Sequence, residues 1–235
     1  MNMLWLILIV LILVGVGFFV AARRRAVAAP QNAKLRAGAA SDAPAPDDPP
    51  LQALEKAAAG DAVVFWDGAD GLIESVLGCS ETVNSRTTAW RWLLLDNGGV
   101  VELAPDGSSY YNENTVFHQG SPEFDLLTAD IDEDGVLKTF EERVRLGRAV
   151  REPVFFEYHE NTYQVRSTGV FAARPQGAPT RREVWRDVSD DPGQNVYFEL
   201  TTADGGRALG IWTTHIMFVV GRTLTDADIR GVDRK

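Results

Sequence analysis

The residues whose types and spacing could carry out chemistry lie in one acidic stretch of the chain. The stretch reads Asp130-Ile131-Asp132-Glu133-Asp134-Gly135, and Glu141 follows six positions after the glycine. This is the pattern of an EF-hand calcium loop, in which three aspartates and a bidentate glutamate supply oxygen ligands and the glycine makes a sharp turn. The stretch from Asp130 to Glu141 could therefore bind calcium.

The residues around this stretch argue against a calcium site. The helix that leaves an EF-hand loop presents an apolar face directly after the glutamate, but Glu142 and Arg145 occupy those positions. Lys138 places a positive charge inside the loop, and the sequence has no second loop to pair with it. We therefore predict an acidic loop exposed to solvent, and we assign no metal ligands.

No other group of residues matches a catalytic motif. His118, His159 and His215 are isolated from one another in the sequence, and Cys79 is the single cysteine, which excludes an intramolecular disulfide. The sequence contains no Gly-x-Ser-x-Gly elbow, no phosphate-binding loop and no dinucleotide fingerprint. We predict no catalytic residue and no cofactor.

The charge balance limits the class of partner. The chain has 235 residues, with 33 acidic and 23 basic side chains and a formal net charge of -10. A protein that binds nucleic acid needs clustered Lys and Arg to neutralise phosphates. We therefore expect no nucleic-acid partner.

The elements that would position any site are β-strands. Short β-branched or aromatic runs recur after Asp61, separated by turn dipeptides such as Asn97-Gly98 and Asp204-Gly205. The predicted strands are 62–66, 71–77, 89–95, 100–103, 115–119, 154–158, 162–166, 169–173, 183–187, 195–201, 208–213 and 215–220. This pattern predicts a mainly β fold, an antiparallel barrel or sandwich.

Two parts of this β region have similar spacing. Val63-Val64-Phe65, Leu72 and Gly78 are spaced like Val154-Phe155-Phe156, Tyr163 and Gly169. Two similar β units packed together would explain the similarity, and chance similarity between β sequences would explain it equally well.

The same residues carry a resemblance to a known family. The signatures are Gly60-Asp61-Ala62-Val63, Trp90-Arg91-Trp92-Leu93-Leu94-Leu95-Asp96 with Gly98-Gly99, and then Phe156, Tyr163, Gly169 and Trp212. From about Gly60 to Val220 the chain resembles the bacterial domain of unknown function numbered 4178. The resemblance implies a β-rich bacterial domain, often found on membrane-associated proteins. It implies no activity and no catalytic residues.

The N-terminal region predicts a membrane anchor. Met3 to Ala22 is a run of 20 residues without a charged side chain, and a helix of this length spans about 30 Å, the thickness of the hydrocarbon core. Arg23, Arg24 and Arg25 follow the run, whereas nothing basic precedes it, which argues against a signal peptide and places the C-terminal side in the cytoplasm. We predict a single-pass protein of the inner membrane with its N-terminus outside.

The residues after the anchor divide into three parts. Residues 23–50 are rich in Ala and Pro and predict a disordered tether, and residues 51–59 predict a short helix. Residues 60–235 form the predicted β-rich cytoplasmic domain, which includes an acidic insertion at 121–142.

Three functions fit the sequence. The first is a non-catalytic adaptor or interaction domain at the inner membrane face, with a protein partner that is basic or membrane-bound, because residues 51–235 carry 18 basic and 30 acidic side chains. The second is a ligand or cation sensor that uses the acidic loop 130–141. The third is an enzyme whose catalytic groups come together only in the folded chain.

Overall fold

The structure, a computed structural model, describes residues 48–104, 107–177, 179–190 and 195–235. The predicted transmembrane helix 3–22 and all but the last three residues of the predicted tether 23–50 lie outside these ranges. Among the described residues, no helix has both the length and the apolar character needed to cross a membrane.

Most of the described chain is one antiparallel sheet of 11 strands. The strands are β1 (Ala62–Phe65), β2 (Gly71–Val83), β3 (Arg86–Leu95), β4 (Val100–Ala104), β5 (Gly107–Phe117), β6 (Phe155–Tyr158), β7 (Asn161–Pro175), β8 (Asn195–Thr201), β9 (Arg207–Trp212), β10 (Ile216–Leu224) and β11 (Ile229–Asp233). Their order across the sheet is β11-β1-β2-β3-β4-β5-β10-β9-β8-β7-β6. The predicted mainly β, antiparallel fold is therefore confirmed.

The sheet bends back on itself without becoming a closed barrel. A further pairing joins Leu77–Ser80 of β2 to Ala172–Pro175 of β7. The strands β11 and β6 remain edges of the sheet, because each pairs with a single neighbour among the described strands. The bend gives the sheet an inner face, defined by the cross-strand pairs Cys79–Trp90, Trp92–Glu102 and Tyr197–Ile211.

Four α-helices and one short 3-10 helix cover this sheet in the described residues. They are α1 (Pro50–Glu55), α2 (Pro122–Thr128), the 3-10 helix Ile131–Glu133, α3 (Val136–Arg145) and α4 (Glu183–Asp190). The Ser121 side chain caps α2 by accepting a hydrogen bond from the Phe124 amide, and Pro122 occupies the first turn, where no amide proton is needed. The helix α1 ends at Glu55, whereas the sequence predicted a helix over residues 51–59.

Three of the predicted strands need correction. The strand predicted at 183–187 is wrong, because these residues begin α4, where Trp185 and Val188 lie one turn apart and are both buried. The strands predicted at 162–166 and 169–173 are one continuous strand, β7. The strand β11 was not predicted from the sequence.

The core consists of three clusters of buried side chains. The first packs α1 against β1, β2, β3 and β11, and the second packs α2 and α3 against β5 to β10. The third fills part of the inner face, where Trp92, Phe171 and Met217 meet Trp185 of α4. The helix α4 therefore covers the apolar part of the inner face.

Candidate functional site

The inner face changes from apolar to polar away from α4 and contains a cavity there. The cavity has a volume of about 180 Å³. Its lining comes from β2, β3, β4, β8 and β9: Glu81, Thr88, Trp90, Trp92, Glu102, Ala104, Tyr197, Glu199, Arg207 and Leu209. Three carboxylates and one guanidinium thus surround a space with aromatic walls.

The strand register brings these residues together. Side chains alternate between the two faces of a strand, so residues that pair across neighbouring strands lie on the same face. Glu81 pairs with Thr88, Trp92 pairs with Glu102, and Glu199 pairs with Leu209. The three glutamates come from different strands of the sheet, and the cavity is the place where their strands converge.

Hydrogen bonds hold two of the glutamates in place. The Tyr197 hydroxyl donates to Oε2 of Glu81 at 3.0 Å, and the Ser167 hydroxyl donates to Oε2 of Glu199 at 2.7 Å. Nη2 of Arg207 lies 3.6 Å from Oε1 of Glu199. These contacts fix the two carboxylates at the wall of the cavity. With three glutamates and one arginine, the lining of the cavity has a negative formal charge.

The third glutamate, Glu102, is the most buried charged residue of the site, with 6% of its surface exposed. Its charge acts on two neighbours. Burial raises the pKa of the Cys79 thiol, and the charge of Glu102 raises it further. Burial, the hydrogen bond to Glu81 and the charges of Glu81, Glu199 and Glu102 raise the pKa of Tyr197. The Tyr197 hydroxyl therefore keeps its proton at neutral pH and acts as a hydrogen-bond donor.

The aromatic wall of the cavity is built around Trp90. Its ring centroid lies 5.6 Å from that of Phe171, 6.0 Å from that of Tyr197 and 6.3 Å from that of Trp92. Trp92 is 1% exposed, and its indole nitrogen has no hydrogen-bond partner among the described residues. A buried donor without a partner costs about 1–3 kcal/mol.

A glycine makes room for the Glu81–Tyr197 pair. A Cβ atom at Gly169 would lie 2.2 Å from Oε1 of Glu81 and 2.7 Å from Cε1 of Tyr197. Gly78, the matching glycine of the internal similarity, makes room in the same way for the Gln176 side chain. The glycines that stood out in the sequence thus let polar side chains lie close to the backbone of the sheet.

The arrangement suits the binding of a cation, and the described residues do not form a metal centre. No three His, Cys, Asp or Glu side chains in the described ranges come close enough together to hold a metal ion. Carboxylates beside aromatic ring faces instead attract an organic cation, because the rings contribute cation–π attraction and the carboxylates contribute opposite charge.

A second, larger depression lies beside α1 and has a structural explanation. Its volume is about 650 Å³, and Arg91 lies in its wall. The Arg91 guanidinium donates hydrogen bonds to the carbonyl oxygens of Glu55 and Ala57, and its Nε donates to Oε1 of Gln176 at 2.9 Å. Arg91 therefore holds the end of α1 against the sheet by binding carbonyls that the helix leaves unpaired.

The acidic loop predicted from the sequence lies between α2 and α3, away from the cavity. Asp130, Asp132, Asp134 and Glu141 are all exposed. The helix α3 already begins at Val136, and Nζ of Lys138 lies 3.8 Å from Oε2 of Glu141. The apolar side of α3 consists of Val136, Leu137 and Phe140, whereas Glu142 pairs with Arg145 at the surface.

We expect calcium to stabilise the protein no more than magnesium does. The loop carboxylates are exposed, and a calcium-specific cage would need them to converge on one ion. The measurement is the melting temperature of the full chain in millimolar CaCl₂ and in MgCl₂, with Asp130→Ala as the comparison. A calcium-selective rise that disappears in Asp130→Ala would establish an EF-hand site instead.

The histidines are placed apart from the cavity. His159 is exposed in the turn between β6 and β7, with a positive φ of 54°. His215 is buried before β10, with Nδ1 3.2 Å from the Thr214 hydroxyl oxygen and 3.9 Å from Oδ2 of Asp187, and its ring lies 6.3 Å from that of His118. These two histidines and the α4 carboxylates form a titratable cluster.

We expect His215 to make the protein less stable as the pH falls below about 7. Burial lowers the pKa of His215, the Asp187 and Glu183 carboxylates oppose that shift, and His118 adds to it. The unfolded chain therefore binds a proton more readily than the folded one, so stability falls as the pH decreases through about 6.5. Urea midpoints at pH 7.5 and 5.5 should differ less in His215→Gln than in the wild type. His159→Asn is the control, and an equal pH dependence in the wild type and His215→Gln would contradict the prediction.

Sequence reasoning did not identify the cavity residues. The available signal is a charged residue at an inward position of an otherwise apolar strand, such as Glu102 in Val100–Leu103 or Glu199 between Phe198 and Leu200. Searches of known protein families, of curated proteins and of solved structures find no match to this chain. The resemblance to the domain of unknown function numbered 4178 stays a prediction.

Proposed function

We propose that this chain is a non-catalytic, membrane-anchored binding protein whose β domain takes a small organic cation in the cavity of the inner face. The observation that carries the proposal is the meeting of Glu81, Glu102 and Glu199 with an aromatic wall around about 180 Å³. The proposal keeps the sensor function considered from the sequence and moves its site from the acidic loop to the sheet interior.

The composition of the cavity favours an ammonium group over other ligands. Three carboxylates and one guanidinium give a formal charge of about -2, which repels anions. Trp90 and Tyr197 line the cavity, and aromatic side chains of this kind bind alkylated ammonium groups in aromatic cages.

The membrane anchor is part of the proposal. Residues 3–22 would form a single transmembrane helix in the inner membrane, with the N-terminus outside and the domain in the cytoplasm. In this arrangement the domain acts as an interaction module at the membrane face. The net charge of -12 on residues 51–235 favours a basic protein as an additional partner.

We further propose that the sheet consists of two similar units. The strands β1 to β5 follow each other in chain order across the sheet, and β6 to β10 follow in the same order from the opposite side. The units would meet where β5 pairs with β10 and where β2 pairs with β7. The matching positions of Gly78 and Gly169 in β2 and β7 support this relation.

We expect choline to bind the full chain, and its neutral isostere 3,3-dimethyl-1-butanol to bind at least about tenfold more weakly. The two molecules have the same shape, so a difference of about 1.4 kcal/mol or more measures the attraction of the charge alone. The measurement is isothermal titration calorimetry of the chain in detergent micelles. Equal affinities for the two molecules would rule out a cation site.

The matched variants locate the site. Glu102→Gln keeps the shape of a buried side chain and removes its charge, and should lower the choline affinity by about tenfold or more. Glu157→Gln removes an exposed charge of β6 and should leave the affinity unchanged. An unchanged affinity in Glu102→Gln would place any choline binding elsewhere.

A further inference from the structure

The acidic β domain contains a dense group of basic residues near the end of α3. Arg143, Arg145, Arg148 and Arg151 fall within nine positions that contain no acidic residue. The domain as a whole has an excess of acidic side chains, so this segment, called here the arginine turn (residues 143–151), differs in sign from its surroundings.

The arginine turn has a defined backbone. Gly147, just after the end of α3, lies in the left-handed region at a φ of +67°. The amides of Gly147 and Arg148 donate to the carbonyls of Val144 and Arg143. This is a Schellman ending, which needs a residue with positive φ. The amides of Arg151 and Glu152 then both donate to the carbonyl of Arg148. Four backbone amides, two before and two after Ala149 and Val150, are therefore held by hydrogen bonds.

The fixed turn presents apolar side chains to solvent. Val150 is 94% exposed, and Val144 and Leu146 are also exposed. The Arg143 guanidinium points back and donates to the carbonyls of Glu152 and Pro153, whereas Arg148 and Arg151 are exposed on either side of Val150. An apolar tip between two arginines is thus held out from the domain.

We propose that the arginine turn docks onto the surface of an anionic lipid bilayer. Arg148 and Arg151 would contact lipid phosphates, and Val150 would enter the headgroup region. Each arginine near an anionic leaflet adds electrostatic attraction, and the apolar tip adds the burial of a valine side chain. The rest of the acidic domain is repelled by the same leaflet, which orients the turn toward it.

The small exposed area of the arginine turn favours a lipid surface over an acidic protein as the partner. A protein interface of stable size needs roughly 800 Å² on each partner, and the exposed part of the turn is one short loop. A weak contact suffices at a membrane when a second element already holds the chain there. The transmembrane helix proposed above for Met3–Ala22 would be such an element, and the inference rests on that part of the proposed function.

The test uses an environment-sensitive dye on the full chain. Val150→Cys carries a bimane label, and the native Cys79 is buried with a raised thiol pKa, so labelling goes to the new cysteine. The chain is reconstituted into vesicles of phosphatidylcholine alone, or of phosphatidylcholine with phosphatidylglycerol. We expect a blue shift and at least about twofold less quenching by acrylamide in the anionic vesicles only.

Two matched chains complete the test. Val83→Cys places the label on another exposed valine, at the end of β2, and should give the same signal in both lipids. Arg148→Glu with Arg151→Glu in the Val150→Cys chain should abolish the difference between the lipids. Equal quenching at position 150 in the two lipids overturns the proposal, whether it reflects a free turn or one covered by another copy or protein. A protected label that survives the two arginine changes also overturns it.

Discussion

Trp185→Ala is expected to lower the free energy of unfolding by about 4 kcal/mol. Trp185 is fully buried and packs edge-on against Trp92, with ring centroids 5.7 Å apart. The helix α4 has only eight residues, too few to be stable without tertiary contacts, and Trp185 and Val188 are its buried side chains. Loss of Trp185 therefore removes both core volume and the main attachment of α4. Urea denaturation of the full chain in mild detergent measures the change.

Two further variants separate the role of Trp185 from that of tryptophans in general. Trp185→Phe keeps an aromatic ring at the same place and should cost about 1.5 kcal/mol. Trp66 is 66% exposed beside Arg230, and Trp66→Ala should cost about 1 kcal/mol or less. A loss under about 1.5 kcal/mol in Trp185→Ala would show that α4 does not depend on this contact.

Gly210→Ala is expected to destabilise the protein by about 3 kcal/mol. Gly210 pairs with Phe198 on one side and Phe218 on the other, and a Cβ atom there would lie 1.9 Å from Cζ of Phe198. Phe198 is fully buried, so its ring has no free space to move into. The added methyl group must therefore displace a core side chain.

Control and rescue variants test this explanation. Gly231→Ala in β11 places a methyl group with no neighbouring atom within 4 Å, and should change stability by less than about 0.5 kcal/mol. Phe198→Leu removes the ring atoms in question, so the double variant with Gly210→Ala should be more stable than the sum of the single changes by about 1 kcal/mol or more. Additive losses would mean that Gly210 has another role. Urea midpoints of the wild type and the four variants provide the comparison.

The local features of the fold could be predicted from the sequence because they depend on neighbouring residues. Alternating β-branched runs and Asn-Gly or Asp-Gly turns gave most of the strands. The segment around Val184 and Trp185 has β-forming residues. The three-residue spacing of Trp185 and Val188 favours a helix once both are buried in the cluster that contains Trp92. Short segments of this kind change with tertiary context.

The cavity could not be predicted because its residues have no common local pattern. Glu81, Glu102 and Glu199 lie on separate strands, and the pairing that joins them depends on the whole strand order. The acidic stretch at Asp130 to Glu141 has the strongest local motif, yet its carboxylates remain exposed between two helices. The spacing of residues in a sequence can identify a site whose residues lie on one loop. It does not identify a site whose residues come from several strands of a sheet.

The pairing of β1 with β11 has a consequence for synthesis of the chain. Ala62 pairs with Asp233, so about 170 residues separate the two partners. At a translation rate of roughly 5–20 residues per second, β11 is synthesised roughly ten to thirty seconds after β1. During this interval Val63 and Phe65, which are buried in the finished sheet, lack their partner strand. A high contact order of this kind slows folding, and the nascent N-terminal half is where chaperones would be needed most.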